Sequence, residues 1–148
     1  MSGTGKSSVI QRLTALGYKA VDFDEPGWSV YDTDAEWVWR EDRVRELLAS
    51  HNDDEALIVS GCAINQGQFY PQFDAIILLS APAEVMIERL RTRTNNPYGK
   101  HPDELAAALD NLANVEPLLR QGAHHEIITT IPLDAVVAEV VKLLEKQP

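Results

Sequence analysis

The chain has 148 residues, near the usual size of one domain, and its 45% hydrophobic and 24% charged content at a mean hydropathy of −0.20 excludes disordered and collagen-like classes. Thirteen Lys and Arg against 23 Asp and Glu give a net charge of −10, a field that repels nucleic-acid polyanions and sets nucleic acid aside as a partner. The longest nearly apolar run, residues 74–84, is too short to cross a bilayer, no signal peptide opens the chain, and the lone Cys62 excludes a disulfide or a cysteine-rich zinc site, so no membrane partner and a cytoplasmic location are expected.

The chain opens on Ser2-Gly3-Thr4-Gly5-Lys6-Ser7-Ser8 and runs into a helix pattern of Val9, Ile10, Leu13 and Leu16 that stops at Gly17. A glycine-rich turn leading into a helix points backbone amides and the positive helix end at an anion. A lysine neutralises phosphate and a hydroxyl ligates Mg²⁺. Gly3, Thr4, Gly5, Lys6, Ser7 and Ser8 are therefore candidate nucleotide-binding residues, with Lys6 at the β- and γ-phosphates and Ser7 on the metal. The full signature has one more glycine, four residues before Gly5-Lys6-Ser7, and a buried strand ahead of it. Both would fall before Met1, so the expectation is a chain lacking central strand 1.

Residues 19–24 read as a short strand ending in Asp22-Phe23-Asp24 and broken by Pro26 and Gly27. Thr33-Asp34-Ala35-Glu36 has the form of a capping box and predicts a helix over residues 33–49, with Trp37, Val44 and Leu48 facing inward and Trp39, Arg40 and Arg43 along it. On such a helix Arg40 has a second use, an ion pair with Glu36 four residues away. Residues 56–60 and 75–79 are compact apolar runs that read as buried parallel strands. Ser60-Gly61-Cys62-Ala63 follows the first, where Gly61 allows close backbone approach and Cys62 reads as a small buried residue.

Pro82 opens a helix with Val85, Met86 and Leu90 inward. Arg89, Arg91 and Arg93 gather at its end, before a polar loop over residues 94–102. Basic residues there suit an anionic target or simply complement the helix dipole. A helix from Asp103, kinked near Pro117, ends at Gly122. His124 and His125 would point to opposite faces of a strand, so no metal site is expected of them. Residues 126–130 form the last strand, and Pro132 opens a terminal helix carrying Leu133, Val136, Val137, Val140 and Leu144. This alternation predicts an α/β domain, a three-layer open parallel sheet with helices on both faces.

The phosphate loop and the order of elements resemble the P-loop small-molecule and nucleotide kinases, in particular the shikimate-kinase-like and adenylate-kinase-like branches and bacterial ATP-binding proteins grouped as AAA-family ATPases. The resemblance covers the whole chain, residues 1–148, apart from the first strand. It implies ATP and Mg²⁺ as cofactors, with Asp22 on the metal side and Asp24 contacting or deprotonating the acceptor. It also implies that Arg40 grips an acceptor carboxylate or phosphate and that Gly61 lies near the γ-phosphate and acceptor. Arg89 and Arg93 would belong to a lid over about residues 89–102, and the adenine contact would follow residues 126–130. Asp22 and Asp24 have a plainer use as turn formers. The turn at Ser60-Gly61-Cys62 does not repeat the family's triple glycine, which counts against shikimate itself. The expected activity is ATP-dependent phosphoryl transfer to a small hydroxyl-bearing metabolite or a nucleoside monophosphate by a monomer or homodimer, with Lys6, Asp24, Arg89 and Arg93 as catalytic residues. The alternative is a regulatory or degenerate ATP-binding protein that has no acceptor.

Overall fold

A computed structural model describes residues 4–52, 54–94 and 99–145. The chain divides into two compact units, one built on residues 6–74 and the other on residues 75–140. The first contains α1 (Lys6–Ala15), β1 (Lys19–Asp22), β2 (Ser29–Tyr31), β3 (Trp37–Trp39), α2 (Glu41–Ser50), β4 (Leu57–Ser60) and a 3-10 segment, Gln66–Gln72. The second contains β5 (Ile77–Ser80), α3 (Ala83–Thr92), α4 (Pro102–Asn114), α5 (Glu116–Gly122) and β6 (His125–Ile128) and leads into α6 (Leu133–Glu145). Among the described residues, strand pairing forms three two-stranded sheets: β1 with β4 and β5 with β6, both parallel, and β2 with β3, antiparallel. Parallel strands alternating with helices make this an α/β fold, as the sequence pattern predicts.

In the first unit α1 packs on β1 and β4 through Val9, Ile10 and Leu13. Leu16, expected on the same face, is exposed in the turn that closes the helix. There Gly17 adopts a φ of +95°, its amide donates to the Thr14 carbonyl at 3.0 Å, and the Tyr18 amide donates to the Leu13 carbonyl at 3.1 Å. This pair of bonds satisfies carbonyls that the helix end leaves open. The parallel register runs from Lys19 opposite Leu57 to Asp22 opposite Ser60, so both strands end side by side. β1 stops at Asp22 and leaves Asp24 in the following turn, not in a strand over residues 19–24.

The helix predicted over residues 33–49 is corrected to a hairpin followed by a shorter helix. Asp32 Oδ1 accepts from the amides of Asp34 and Glu36, both at 2.9 Å, and Ala35 takes a φ of +60°. Asp32 thereby supplies the turn chemistry that the spacing of Thr33 and Glu36 assigns to a helix start. The alternating aromatic run Trp37-Val38-Trp39 then forms β3, and α2 begins at Glu41, where Glu41 and Asp42 complement the positive helix end. Trp39 is the deeply buried tryptophan, with Phe23, Val44 and Phe69 around it. Trp37 is half-buried and packs on Tyr31 with ring centroids 4.8 Å apart.

In the second unit Ile77 lies opposite His125 and Ser80 opposite Ile128. Ala81 and Met86 form a core with Val85, Leu112, Val115 and Leu119. The helix expected from Asp103 with a kink near Pro117 is two helices: Val115 separates α4 from α5, and Pro117 lies in the first turn of α5, where its missing N–H leaves no bond unmade. Among the described residues, no helix is long and apolar enough to cross a membrane.

Candidate active site

The carboxyl ends of β1 and β4 converge with the first turn of α1, a placement that parallel α/β sheets use for ligands. Gly5, just before α1, has a φ of +92° and nothing within 4 Å of where a side chain would start, so it is backbone conformation that requires glycine there. Thr4 is fully buried and Ser8 half-buried, while Gly3 lies outside the described residues.

Ser7 Oγ donates to Asp22 Oδ2 at 2.6 Å. The other oxygen of Asp22 accepts from the Asp24 amide at 2.9 Å and, at a long 3.4 Å, from Ser60 Oγ. Asp22 is almost fully buried, and these donors compensate the water it loses. Asp24 Oδ1 accepts from the Cys62 amide at 3.3 Å, and its Oδ2 lies 3.9 Å from Lys6 Nζ. Gly61 is pressed against the aromatic core: a β-carbon there would sit 2.9 Å from Trp39 Nε1, 3.1 Å from its Cζ2 and 3.2 Å from Phe23 Cβ. Ser7, Asp22, Asp24 and the Ser60–Cys62 turn thus form one hydrogen-bonded rim, with Lys6 in an ion pair with Asp24. It joins an ammonium, a hydroxyl and two carboxylates, the groups that phosphate and a hard cation require.

Arg40 stands outside this network. Its guanidinium is 3.4 Å from Asp42, and the Glu36 pairing that a helix would have given is absent because Glu36 belongs to the hairpin turn. Arg43 donates to the Gly27 carbonyl at 2.6 Å and lies 4.3 Å above the Trp28 ring, which stacks on Phe23.

In the second unit Arg89 projects from α3 to Thr129, donating to its Oγ1 at 2.8 Å and its carbonyl at 2.5 Å. Thr129 donates from its amide (2.8 Å) and hydroxyl (3.1 Å) to the Ser80 carbonyl. Arg89 is therefore fastened to the end of β6, and Arg93 closes α3 with its amide on the Arg89 carbonyl at 3.0 Å. Part of the expected lid, residues 95–98, lies outside the described residues. His124 Nδ1 accepts from the Ile76 amide at 2.9 Å, a structural role. Ser60 and Asn65 are the site-side residues that sequence reasoning missed. Ser60 stands in a turn whose informative residues in sequence are Gly61 and Cys62, and nothing local distinguishes Asn65.

The AAA domain family matches residues 1–110. Shikimate kinase 2 of Pectobacterium atrosepticum is 32% identical over 163 residues, which cover 96% of this chain and 91% of that protein. Shikimate kinase of Nitrobacter winogradskyi is 26% identical over 160 residues, covering 99% of this chain and 75% of that protein. The solved shikimate kinase from Acinetobacter baumannii, in complex with shikimate, superimposes with a TM-score of 0.65 at 22% identity over 97% of this chain and 88% of that one, a likeness of fold. With a family match across most of its length and near-full-length relatives above 30% identity, the chain belongs to the AAA-domain P-loop family and to its shikimate-kinase group of ATP-dependent small-molecule phosphotransferases.

Proposed function

We propose that the rim around Asp22 and Asp24 carries the transfer, with Lys6 and the amides at the start of α1 on the β- and γ-phosphates and Asp24 on the acceptor hydroxyl. The observation that carries this reading is the pairing of Asp24 with Lys6 beside the Ser7–Asp22 bond. A carboxylate beside an ammonium supports the reading of Asp24 as proton acceptor and Lys6 as phosphate ligand. Phosphoryl transfer needs mainly positioning and charge, so Asp24 orients the hydroxyl and takes its proton as the new bond forms.

A buried carboxylate hydrogen-bonded to a hydroxyl is a set of hard oxygen donors, which fits Mg²⁺. Ser7 would hold the ion directly, with Asp22 behind it. The bound ion would supply neutralisation of phosphate charge. Arg89 and Arg93 stay the candidate lid arginines, the first with its guanidinium on Thr129 in this structure. The acceptor to test first is shikimate, which the relatives' names specify, followed by nucleoside monophosphates, because the Ser60-Gly61-Cys62 turn departs from the family's triple glycine. We further propose a single kinase domain in the cytoplasm, monomeric or homodimeric.

The test is ADP release from Mg-ATP with and without each acceptor, in the wild type and Asp24→Asn. The expected result is acceptor-dependent release that falls about a hundredfold or more in the variant while Mg-ATP binding persists. No stimulation by any acceptor in the wild type would leave ATP binding without transfer as the better reading.

A further inference from the structure

β3 has two edges, and among the described residues only one of them is paired with a strand. Hydrogen bonds from the Asp32 amide to the Glu36 carbonyl (2.9 Å) and from the Arg40 amide to the Trp28 carbonyl (2.7 Å) fix the hairpin phase, so that the polar groups of Trp37 and Trp39 point away from β2. Those outward groups meet the segment after β4. The Ile64 amide donates to the Trp37 carbonyl at 3.2 Å. At Trp39 one side chain does the work of a strand: Asn65 Oδ1 accepts from the Trp39 amide at 2.9 Å and Asn65 Nδ2 donates to the Trp39 carbonyl at 3.0 Å. The same Nδ2 donates to Glu41 Oε2 at 3.2 Å, in the first turn of α2.

A carboxamide suits this position because it offers an acceptor and a donor at the spacing of one backbone amide. Asparagine is the shortest side chain that does so. Its backbone continues the turn that begins at Gly61 and Cys62, and the Cys62 amide holds Asp24. Trp39 in turn presses its indole against Gly61 and its ring edge against Phe23, the residue between the two aspartates. Asn65 therefore ties the Trp39–Arg40 segment to the turn that orients Asp24.

We infer that Asn65 is a positioning residue for the acceptor, clamping the Trp39–Arg40 segment against the Gly61–Cys62 turn so that the acceptor meets Asp24 in a fixed frame. The inference rests on the acceptor-side reading of Asp24. It predicts a selective effect, since the Asn65 side chain bonds to Trp39 and Glu41, on the Trp39–Arg40 side of the site.

The experiment is steady-state kinetics of the full chain with Mg-ATP and shikimate, or with whichever nucleoside monophosphate the wild type uses, for wild type, Asn65→Ala and Asn65→Asp. Asparagine-to-alanine should raise the acceptor KM about tenfold and leave the Mg-ATP KM within about twofold. Asn65→Asp keeps an acceptor for the Trp39 amide, loses the donor to its carbonyl, and should also raise the acceptor KM. It covers the case in which the alanine variant does not fold. A purely structural role would lower the active fraction, and so kcat, with both KM values unmoved. That result, or equal rises in both KM values, overturns the inference. A wild type that turns over no acceptor overturns the transfer reading itself and this role with it, and that failure is recognised before any variant is compared.

Discussion

Asp22 is the residue on which the candidate site turns. Its two oxygens are shared among Ser7, the Asp24 amide and Ser60, so its orientation is set by the protein in advance of ligand. Preorganised carboxylates of this kind reduce the reorganisation that binding and transfer would otherwise require. Gly61 maintains this frame by its lack of a side chain. A methyl at Gly61 would lie 2.9 Å from Trp39 Nε1 and 3.2 Å from Phe23 Cβ, and neither neighbour is the end of a flexible chain. Gly61→Ala should then cost about 1–3 kcal/mol of stability, the range for overpacking a filled core. Urea unfolding measures it, and turnover should fall along with stability because the Cys62 amide on Asp24 moves with the turn. An unchanged urea midpoint would mean that the Trp39 side of the turn gives way freely.

Among the elements, those that carry local signals were legible and those that depend on distant partners were not. The Schellman-type end at Gly17 is fixed by neighbours in sequence, and the structure keeps it, whereas Asp22 and Asp24 at the end of β1 are held by partners 15 and 38 residues away. The hairpin over β2 and β3 carries a misleading local signal, because a Thr and a Glu three residues apart suit a helix start. Asp32, one residue earlier, captures the same amides for a turn. Asn65 and Arg89 find their partners 26 and 40 residues away, separations that no local pattern encodes. A further long-range link joins β5, β6 and α5: Glu126 accepts from Arg120 Nε at 2.7 Å and from Ser80 Oγ at 2.7 Å, while Arg120 also reaches Glu116 at 2.7 Å. The bonds from Arg120 and then Ser80 hold the Glu126 carboxyl below the ordinary glutamate range. A carboxyl with a lowered folded-state pKa contributes stability that is fully present above its unfolded value, about 4.3, and is lost as pH falls through the folded value. Arg120 stays charged throughout, so the pH dependence belongs to the carboxylates. Glu126→Gln should therefore lower the urea midpoint at pH 7 more than at pH 3. The difference will be small, because these side chains are open to solvent screening. Equal losses at both pH values would show that the link is no stronger folded than unfolded.

For the molecule as a whole, the net charge of −10 and the anionic nucleotide oppose each other, and binding depends on local positive groups overcoming a repulsive field. Lys6 is the positive group inside the candidate rim, with its side chain 16% exposed against 34% for Asp24. Its pairing with Asp24 spans 3.9 Å, longer than a hydrogen bond, so this one contact adds little to the stability of the unliganded chain. Binding of nucleotide is a different matter. A ligand at a hundred times its Kd that binds only the folded state stabilises by about 2.7 kcal/mol. For a chain of 148 residues that corresponds to a rise of roughly 5–11 °C in Tm. Saturating Mg-ATP should raise the melting temperature of the wild type by this amount, and Lys6→Ala should remove most of the shift, each shift being measured from that chain's own unliganded Tm. Moderate salt, which shortens the reach of the acidic surface to about 8 Å at physiological ionic strength, should leave the wild-type shift intact or enlarge it. If the Lys6→Ala chain shifted as far as the wild type, the nucleotide would be held somewhere other than the start of α1, and the assignment of phosphate to Lys6 would fall with it.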